Sequence, residues 1–323
     1  MIRIFANSHI DFVAFRQRAI IATAAFFALG LVAMLARGIN YSIEFTGGTV
    51  VKVQAEQPAT LRTIRTALDA AGLQGAEITP FADQGEYSIK ARTNIEGVDA
   101  DNTAATTAAV SGALDQVFGS GKWIQEYSEA VSPKVGSELR TQAFLAIFLS
   151  FFAVLAYLAY RFEWRFGVAA VIATAHDIVL SIFFLAVMDL EVGLVVVAAL
   201  LSMVGYSLND TIVIFDRVRE NLHSAKREPL ITILNRSVNE TLPRTVFTSG
   251  TSLVVLLALL VFAGPIIRPF AWVMFFGILV GTFSSMFIAI PALLYIDQRW
   301  PGLSGHGITV GGKVTTRARP ETV

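Results

Sequence analysis

The chain contains no cysteine, which excludes disulfides, thiolate metal sites and cysteine nucleophiles. Histidine is scarce, with four residues, and no HExxH pair occurs, so a zinc hydrolase of that kind is excluded as well. Lys and Arg together equal Asp and Glu, 25 against 25, and a neutral chain carries no electrostatic case for a nucleic-acid partner. One phosphate-loop look-alike, Gly307 to Lys313 in the pattern GxxxxGK, fails: Val314 stands where Ser or Thr is needed, and no strand precedes it and no helix follows. No cofactor, metal or enzymatic activity is therefore expected. Charge itself is sparse, at 15% of residues against 54% hydrophobic ones, an apolar share above that of an ordinary soluble domain.

The apolar residues are gathered in six runs, at 19–36, 143–160, 166–188, 192–215, 246–267 and 270–296. Each is close to the roughly 20 residues that span a bilayer. The first follows Arg16 and Arg18, as a signal peptide would, but its run exceeds the usual h-region of about 7–15 residues and reads as an uncleaved anchor. Short-loop cations set the orientation. Arg161 and Arg165, the cluster from Arg217 to Arg244, and Arg299 fall on one side, with only Asp189, Glu191 and Arg268 on the other. The positive-inside rule then places both termini in the cytoplasm.

Four regions follow: 1–36, the cytoplasmic N-terminus and first span; 37–140, an exterior domain; 141–300, five further spans; and 301–323, a Gly-, Thr- and Arg-rich tail expected to be disordered. The exterior segment alternates strand-like runs (49–54, 76–81, 86–91, 123–131) with helical ones (59–71, 101–118), giving the β-α-β-β-α-β order of a ferredoxin-like unit. Pro133 is expected to end the last strand, with a helix from 135 leading into the second span. The 216–244 connection is charged, with apolar residues at helical intervals, and 230–240 is expected to form an amphipathic surface helix behind Pro229. The expected architecture is thus an α-helical polytopic membrane protein of six spans, with an α+β domain between the first two.

Asp210 is the most informative residue, because it interrupts an apolar run and Thr211 to Phe215 is apolar again after it. A carboxylate at mid-bilayer costs about 2.5–3.5 kcal/mol even on lenient insertion scales, and such residues face a bundle interior or a water path, often carrying protons. A headgroup location, where Asp210 would merely snorkel, is the competing reading. Asn209 precedes it, and Ala198, Ser202, Gly205 and Asn209 form one small-polar stripe of the kind that packs helices in membranes. The third span carries His176 and Asp177; the fifth opens with Arg244, then Thr245, Thr248 and Ser252 along one face. A carboxylate, an arginine and a His-Asp pair on consecutive spans read together as a proton relay. In the sixth span, Gly277 and Gly281 form a GxxxG close-packing signal, followed by Ser284 and Ser285.

Three stretches resemble one family. Phe45, Thr46, Gly47 and Gly48 follow the first span as in its aspartate-Phe-Thr-Gly-Gly signature, with Glu44 in the aspartate position. VSPKVGSELR at 131–140 and GYSLNDTIVIFDRVREN at 205–221 match two further signatures. The chain resembles the SecF family of protein-export membrane proteins, within the resistance-nodulation-division superfamily. The resemblance implies pairing with SecD in the bacterial cytoplasmic membrane and use of the proton gradient, protons being the coupling ion, to help preproteins leave the SecYEG channel. It further implies that Asp210 and Arg244 take part in proton transport, and that residues 44–48 couple the exterior domain to the spans. Gly47 and Gly48 suit either a hinge or a tight turn. A small-molecule or lipid exporter of the same superfamily, a passive scaffold and an intramembrane hydrolase using His176 and Asp177 are the alternatives.

Overall fold

In chain order the elements are helix α1 (Arg16–Arg37), the short helix α2 (Ile43–Thr46), β1 (Gly48–Ala55), α3 (Leu61–Ala70), β2 (Glu77–Pro80), β3 (Glu86–Ala91), α4 (Thr103–Phe118), β4 (Trp123–Val131), α5 (Pro133–Arg161), α6 (Trp164–Val187), α7 (Leu194–Ser224), α8 (Leu230–Phe262), α9 (Arg268–Ser284), a π turn (Ser285–Ala289) and α10 (Ile290–Arg299). The structure is a computed structural model and describes residues 8–80, 85–91, 103–224, 228–264 and 267–303. The chain divides into two compact units: residues 41–146 with 192–194, and the remaining helices.

The first unit holds a four-stranded sheet of order β2-β3-β1-β4, with every neighbouring pair antiparallel. That is the strand order of the ferredoxin-like unit expected from the sequence. Alternation in β1 sends Val51 and Val53 to one face, where they meet Ile89 of β3, Ile64 and Leu68 of α3, and Val110 and Leu114 of α4. Burying each such side chain contributes about 1.5–3 kcal/mol. Thr60 caps α3 by accepting the Thr63 amide proton at 3.3 Å, which explains where that helix starts. Lys52 bridges Glu86 of β3 and Glu126 of β4; these hydrogen bonds, Glu86 first, hold its ammonium above the usual lysine range. The expected ends of the second strand and second helix, residue 81 and residues 101–102, lie outside the described residues.

Among the described residues, six helical stretches are long and apolar enough to cross a membrane. In the second unit α6, α7 and the α9–α10 stretch are the more buried, whereas α1 and α8 are largely exposed. In its apolar core Phe166 and Phe215 meet edge to face at 5.3 Å, amid Ala169, Ala170, Ala173, Met203 and Leu293.

Two sequence expectations require correction. A third holds to within two residues: β4 ends at Val131, and the helix expected from 135 opens at Pro133, where a missing N–H costs nothing, and runs on through the span. The 216–244 connection is not a separate segment: α7 stays helical to Ser224, and α8 runs from Leu230 through Pro243 to Phe262. Nor is 230–240 a membrane-surface helix. Leu230, Ile233, Leu234 and Val238 are buried in the same cluster as Val218 and Leu222 of α7, with Asn221 donating to Ser237 (2.9 Å) and Glu240 (2.7 Å). An apolar stripe fits a lipid surface and a neighbouring helix equally well, and here the neighbour is the extension of α7. Finally, the sixth span contains a π turn just before Pro291, whose missing N–H leaves the preceding turn without its usual i→i−4 bond. The expected disordered tail lies outside the described residues from position 304 on.

Candidate functional site

Helical periodicity divides α7 into two faces. Met203, Ser207, Asp210, Thr211 and Ile214 are buried, while Ala198, Ser202, Gly205 and Asn209 are exposed on the other side. The buried face places Asp210 at 3% exposure, inside the bundle. Its carboxylate accepts a single hydrogen bond among the described residues, from Ser249 of α8 at a long 3.4 Å. Ser249 in turn shares a 2.7 Å hydrogen bond with Thr282 of α9. Arg244, one and a half turns before Ser249, is exposed, and no ion pair joins it to Asp210 among the described residues, although its charge acts on that carboxylate. Thr245 beside it is buried, and its hydroxyl has no hydrogen-bond partner among the described residues.

Asp177 of α6 is fully buried and held quite differently. One carboxylate oxygen accepts from Ser207 of α7 at 2.5 Å and from Ser284 of α9 at 2.7 Å; the other lies 2.9 Å from His176 Nδ1. His176 Nε2 lies 3.4 Å from the Thr23 hydroxyl of α1. The glycine pair of α9 makes this junction possible. A Cβ at Gly281 would stand 2.9 Å from the Ser207 Cβ, and one at Gly277 2.3 Å from the Met203 Cγ. Without side chains there, α7 comes close enough for Ser207 to reach Asp177. A third buried carboxylate, Asp297 of α10, accepts the amides of Gly302 and Leu303 at 3.0 and 2.9 Å and so fixes the chain beyond the last helix.

These placements revise part of the expected site. Gly277 and Gly281 are turned toward α7 and are occupied within the chain. Ser202 and Gly205, expected as packing residues, are exposed: Ser202 donates to its own Ala198 carbonyl at 2.8 Å, and a Cβ at Gly205 would meet nothing within 4 Å among the described residues. Asn209 shares their exposed face and does not join Asp210. Thr248 donates to the carbonyls of Arg244 and Thr245, and Ser252 accepts from Tyr206. The residues that sequence reasoning missed are Ser249, Thr282 and Ser207. Ser249 could have been found, because it lies four residues after Thr245 and three before Ser252 on the same face.

In the sheet-containing unit, residues 42–48 form a compact knot. Ser42 accepts the Glu44 amide at 3.2 Å, the Thr46 hydroxyl donates to the Ser42 carbonyl at 3.1 Å, and Phe45 is buried. Gly47 ends α2 at φ 74°, and a Cβ there would lie 2.6 Å from the Pro133 Cα. The turn at Gly47 is tight and closely packed. The Glu44 carboxylate accepts the Leu194 amide at 2.5 Å.

A six-helix polytopic chain with carboxylates buried at helix junctions, and a ferredoxin-like domain inserted after the first helix, defines a class of membrane-embedded machinery with a domain outside the hydrocarbon. The sequence matches the family Protein export membrane protein SecD/SecF, C-terminal, over residues 113–299, and the SecD/SecF GG motif over residues 32–59. The chain belongs to the SecD/SecF family of protein-export membrane proteins. It is 48% identical over 327 residues to the protein translocase subunit SecF of Gemmatimonas aurantiaca, a match covering 99% of this chain and 98% of that one. Among solved structures it is similar to the crystal structure of SecDF, a translocon-associated membrane protein from Thermus thermophilus, with TM-score 0.79 and 35% identity. That match covers 91% of this chain and 39% of the SecDF chain, so this chain spans well under half of SecDF. SecDF in its super-membrane-facing form matches with TM-score 0.66 and 36% identity.

Proposed function

We propose that this chain works with a SecD partner in the bacterial cytoplasmic membrane, where the proton gradient acting at Asp210 drives a movement that helps preproteins leave the SecYEG channel. Both termini face the cytoplasm and the sheet domain faces outward, as the loop charges support. The observation that carries this reading is the contrast around Asp210: a carboxylate buried to 3% exposure which, among the described residues, has one long hydrogen bond and beside it an arginine that makes no ion pair.

Burial disfavours a charged carboxylate, and an approaching arginine favours it. Proton and Arg244 therefore alternate as partners of Asp210. When protonated, Asp210 is neutral and Arg244 is turned away; when the proton leaves, Arg244 swings in. Ser249 and Thr282 supply a hydroxyl pair through which α8 and α9 sense that exchange. His176 and Asp177 form the fixed end of the same polar seam.

The energy scale sets a limit on this motor. One charge crossing the membrane supplies about 2.3 kcal/mol per 100 mV, so a gradient of roughly 150–200 mV yields about 3.5–4.6 kcal/mol per proton. Full reversal of a two-state equilibrium from 1:99 to 99:1 takes about 5.5 kcal/mol. One proton therefore drives an incomplete swing, and a second carboxylate from the SecD partner completes it. The test is Asp210→Asn in vesicles. Gradient-dependent stimulation of export should vanish while co-purification with SecD persists; retained stimulation rejects the reading in favour of a scaffold.

A further inference from the structure

Within the helical unit, the start of α1 and the end of the α9–α10 stretch enclose a groove against α6, with a volume of about 410 Å³. That is within the range of small-molecule clefts, roughly 300–1,000 Å³. Its polar groups are gathered at one end. α1 and α6 run side by side, with Thr23 opposite His176 and Phe27 opposite Phe183, so Arg16 stands at the end where α6 begins. Trp164, at the start of α6, meets Trp300, just past α10, at 6.0 Å, which brings Tyr295 and Gln298 to that same end. Both tryptophans are about half exposed, as rings at a membrane–water boundary are. Away from this end the lining is apolar: Ile20, Ile172, Phe287 and Ile288. The far wall is firm, because Phe287 packs on Phe283 at 4.9 Å and on Phe12 at 5.5 Å.

We propose that this groove binds one anionic phospholipid, with its phosphate against Arg16 and Gln298 and one acyl chain laid along Ile20, Ile172 and Phe287. Charge selects the headgroup. Arg16 is the single charged residue of the lining; it is exposed and makes no ion pair among the described residues. Arg18 and Arg299 add positive charge at neighbouring positions, each laid over an aromatic ring. The adjacent carboxylate, Asp297, is buried and accepts the amides of Gly302 and Leu303. Length selects the chain. Phe287 and Gln298 are eleven residues apart, about 16 Å at 1.5 Å per residue, which is close to one leaflet of a hydrocarbon core about 30 Å thick. A partner's transmembrane helix would call for a seat along the whole core. The groove is instead as deep as a single acyl chain, with a cation where the phosphate lies.

The test is native mass spectrometry of the full-length chain titrated with dioleoyl phosphatidylglycerol or dioleoyl phosphatidylcholine, probes with the same acyl chains and different net charge. One phosphatidylglycerol should be retained about fivefold more strongly than phosphatidylcholine, the scale set by one basic residue near a membrane surface. Arg16→Gln should erase that preference, and Arg16→Lys should keep most of it. Arg16 is exposed at the first position of α1, so its replacement leaves the core intact. Ala292→Trp, which fills the groove, should lower retention of both lipids about fivefold, with the thermal unfolding midpoint as the check on folding; if this variant does not fold, the Arg16 pair decides.

The site is rejected if the two lipids are retained equally, if the preference survives Arg16→Gln, or if a folded Ala292→Trp retains both lipids as before. Loss of the retained lipid when the SecD partner is added would assign the groove to a protein contact and reject it equally. None of these outcomes depends on whether Asp210 carries protons.

Discussion

Asp177 and Asp210 lie on neighbouring helices of one bundle, and both are buried, yet their surroundings are opposite. Asp177 has its oxygens committed to Ser207, Ser284 and His176, all at 2.9 Å or less. Asp210 accepts one hydrogen bond among the described residues, at 3.4 Å, from a serine that is itself shared with Thr282. A buried polar group with every partner in place is a structural element, costly to disturb. A buried carboxylate with its partners missing is stable only if it can shed its charge or find a cation. The same side chain thus serves as a fixed knot in one place and a switch in the other, and the number of donors around it decides which.

Breaking the switch should give the largest effect. Asp210→Asn is expected to remove gradient-driven export stimulation outright with little change in stability, since the amide fits the space and forfeits only one long hydrogen bond. Breaking the knot should show the reverse pattern. Asp177→Ala leaves two buried serine hydroxyls and an imidazole without their acceptor, at about 1–3 kcal/mol for each unsatisfied group, and should lower the thermal unfolding midpoint of the purified chain far more than Asp210→Ala does. Equal destabilisation by the two alanine variants would erase the distinction drawn here.

A smaller effect sharpens the comparison through the glycines. Gly281→Ala places a methyl 2.9 Å from the Ser207 Cβ and 3.2 Å from its Cα. It should push α7 from α9 at about 1–3 kcal/mol, as overpacking does. Gly205→Ala, on the exposed face, meets nothing within 4 Å among the described residues. It should be neutral or stabilising by up to about 1 kcal/mol, the helix-propensity gain of alanine over glycine. Denaturation of the two variants side by side measures the difference. Smallest in its effect on transport, Ser249→Ala removes the long hydrogen bond to Asp210 and the 2.7 Å one shared with Thr282, each about 0.5–1.5 kcal/mol, and should slow proton uptake in vesicle flux assays two- to threefold without abolishing it.

Much of this was legible in the residues themselves. A charge inside an apolar run is conspicuous, so Asp210 and Asp177 stood out from the sequence. Alternation against helical spacing was enough to order the sheet domain. Whether a hydroxyl is functional was not legible. Ser202 and Thr248 bond their own helix, while Ser207 and Ser249 reach across to carboxylates, and nothing in one-dimensional spacing separates the two uses. The small-residue stripe through Ser202 and Gly205 looked like the packing face of α7, whereas the bundle packs on the opposite face through Met203 and Ser207. Residues 230–240 were misassigned for a related reason: their apolar face meets α7, and a sequence does not say which surface an amphipathic helix has been given. Glu44 was read as a conserved-charge substitution in a signature, but its partner, the Leu194 amide, lies 150 residues away and carries no side-chain signal.

The most direct test of the division between switch and knot is a pH titration of the lipid-embedded chain by difference infrared spectroscopy, following the protonated-carboxyl band. One component of the pH-dependent change in that band should be lost in Asp210→Asn, and Asp177→Asn should leave that component in place. A titrating band that survives Asp210→Asn and vanishes with Asp177→Asn would contradict the assignment.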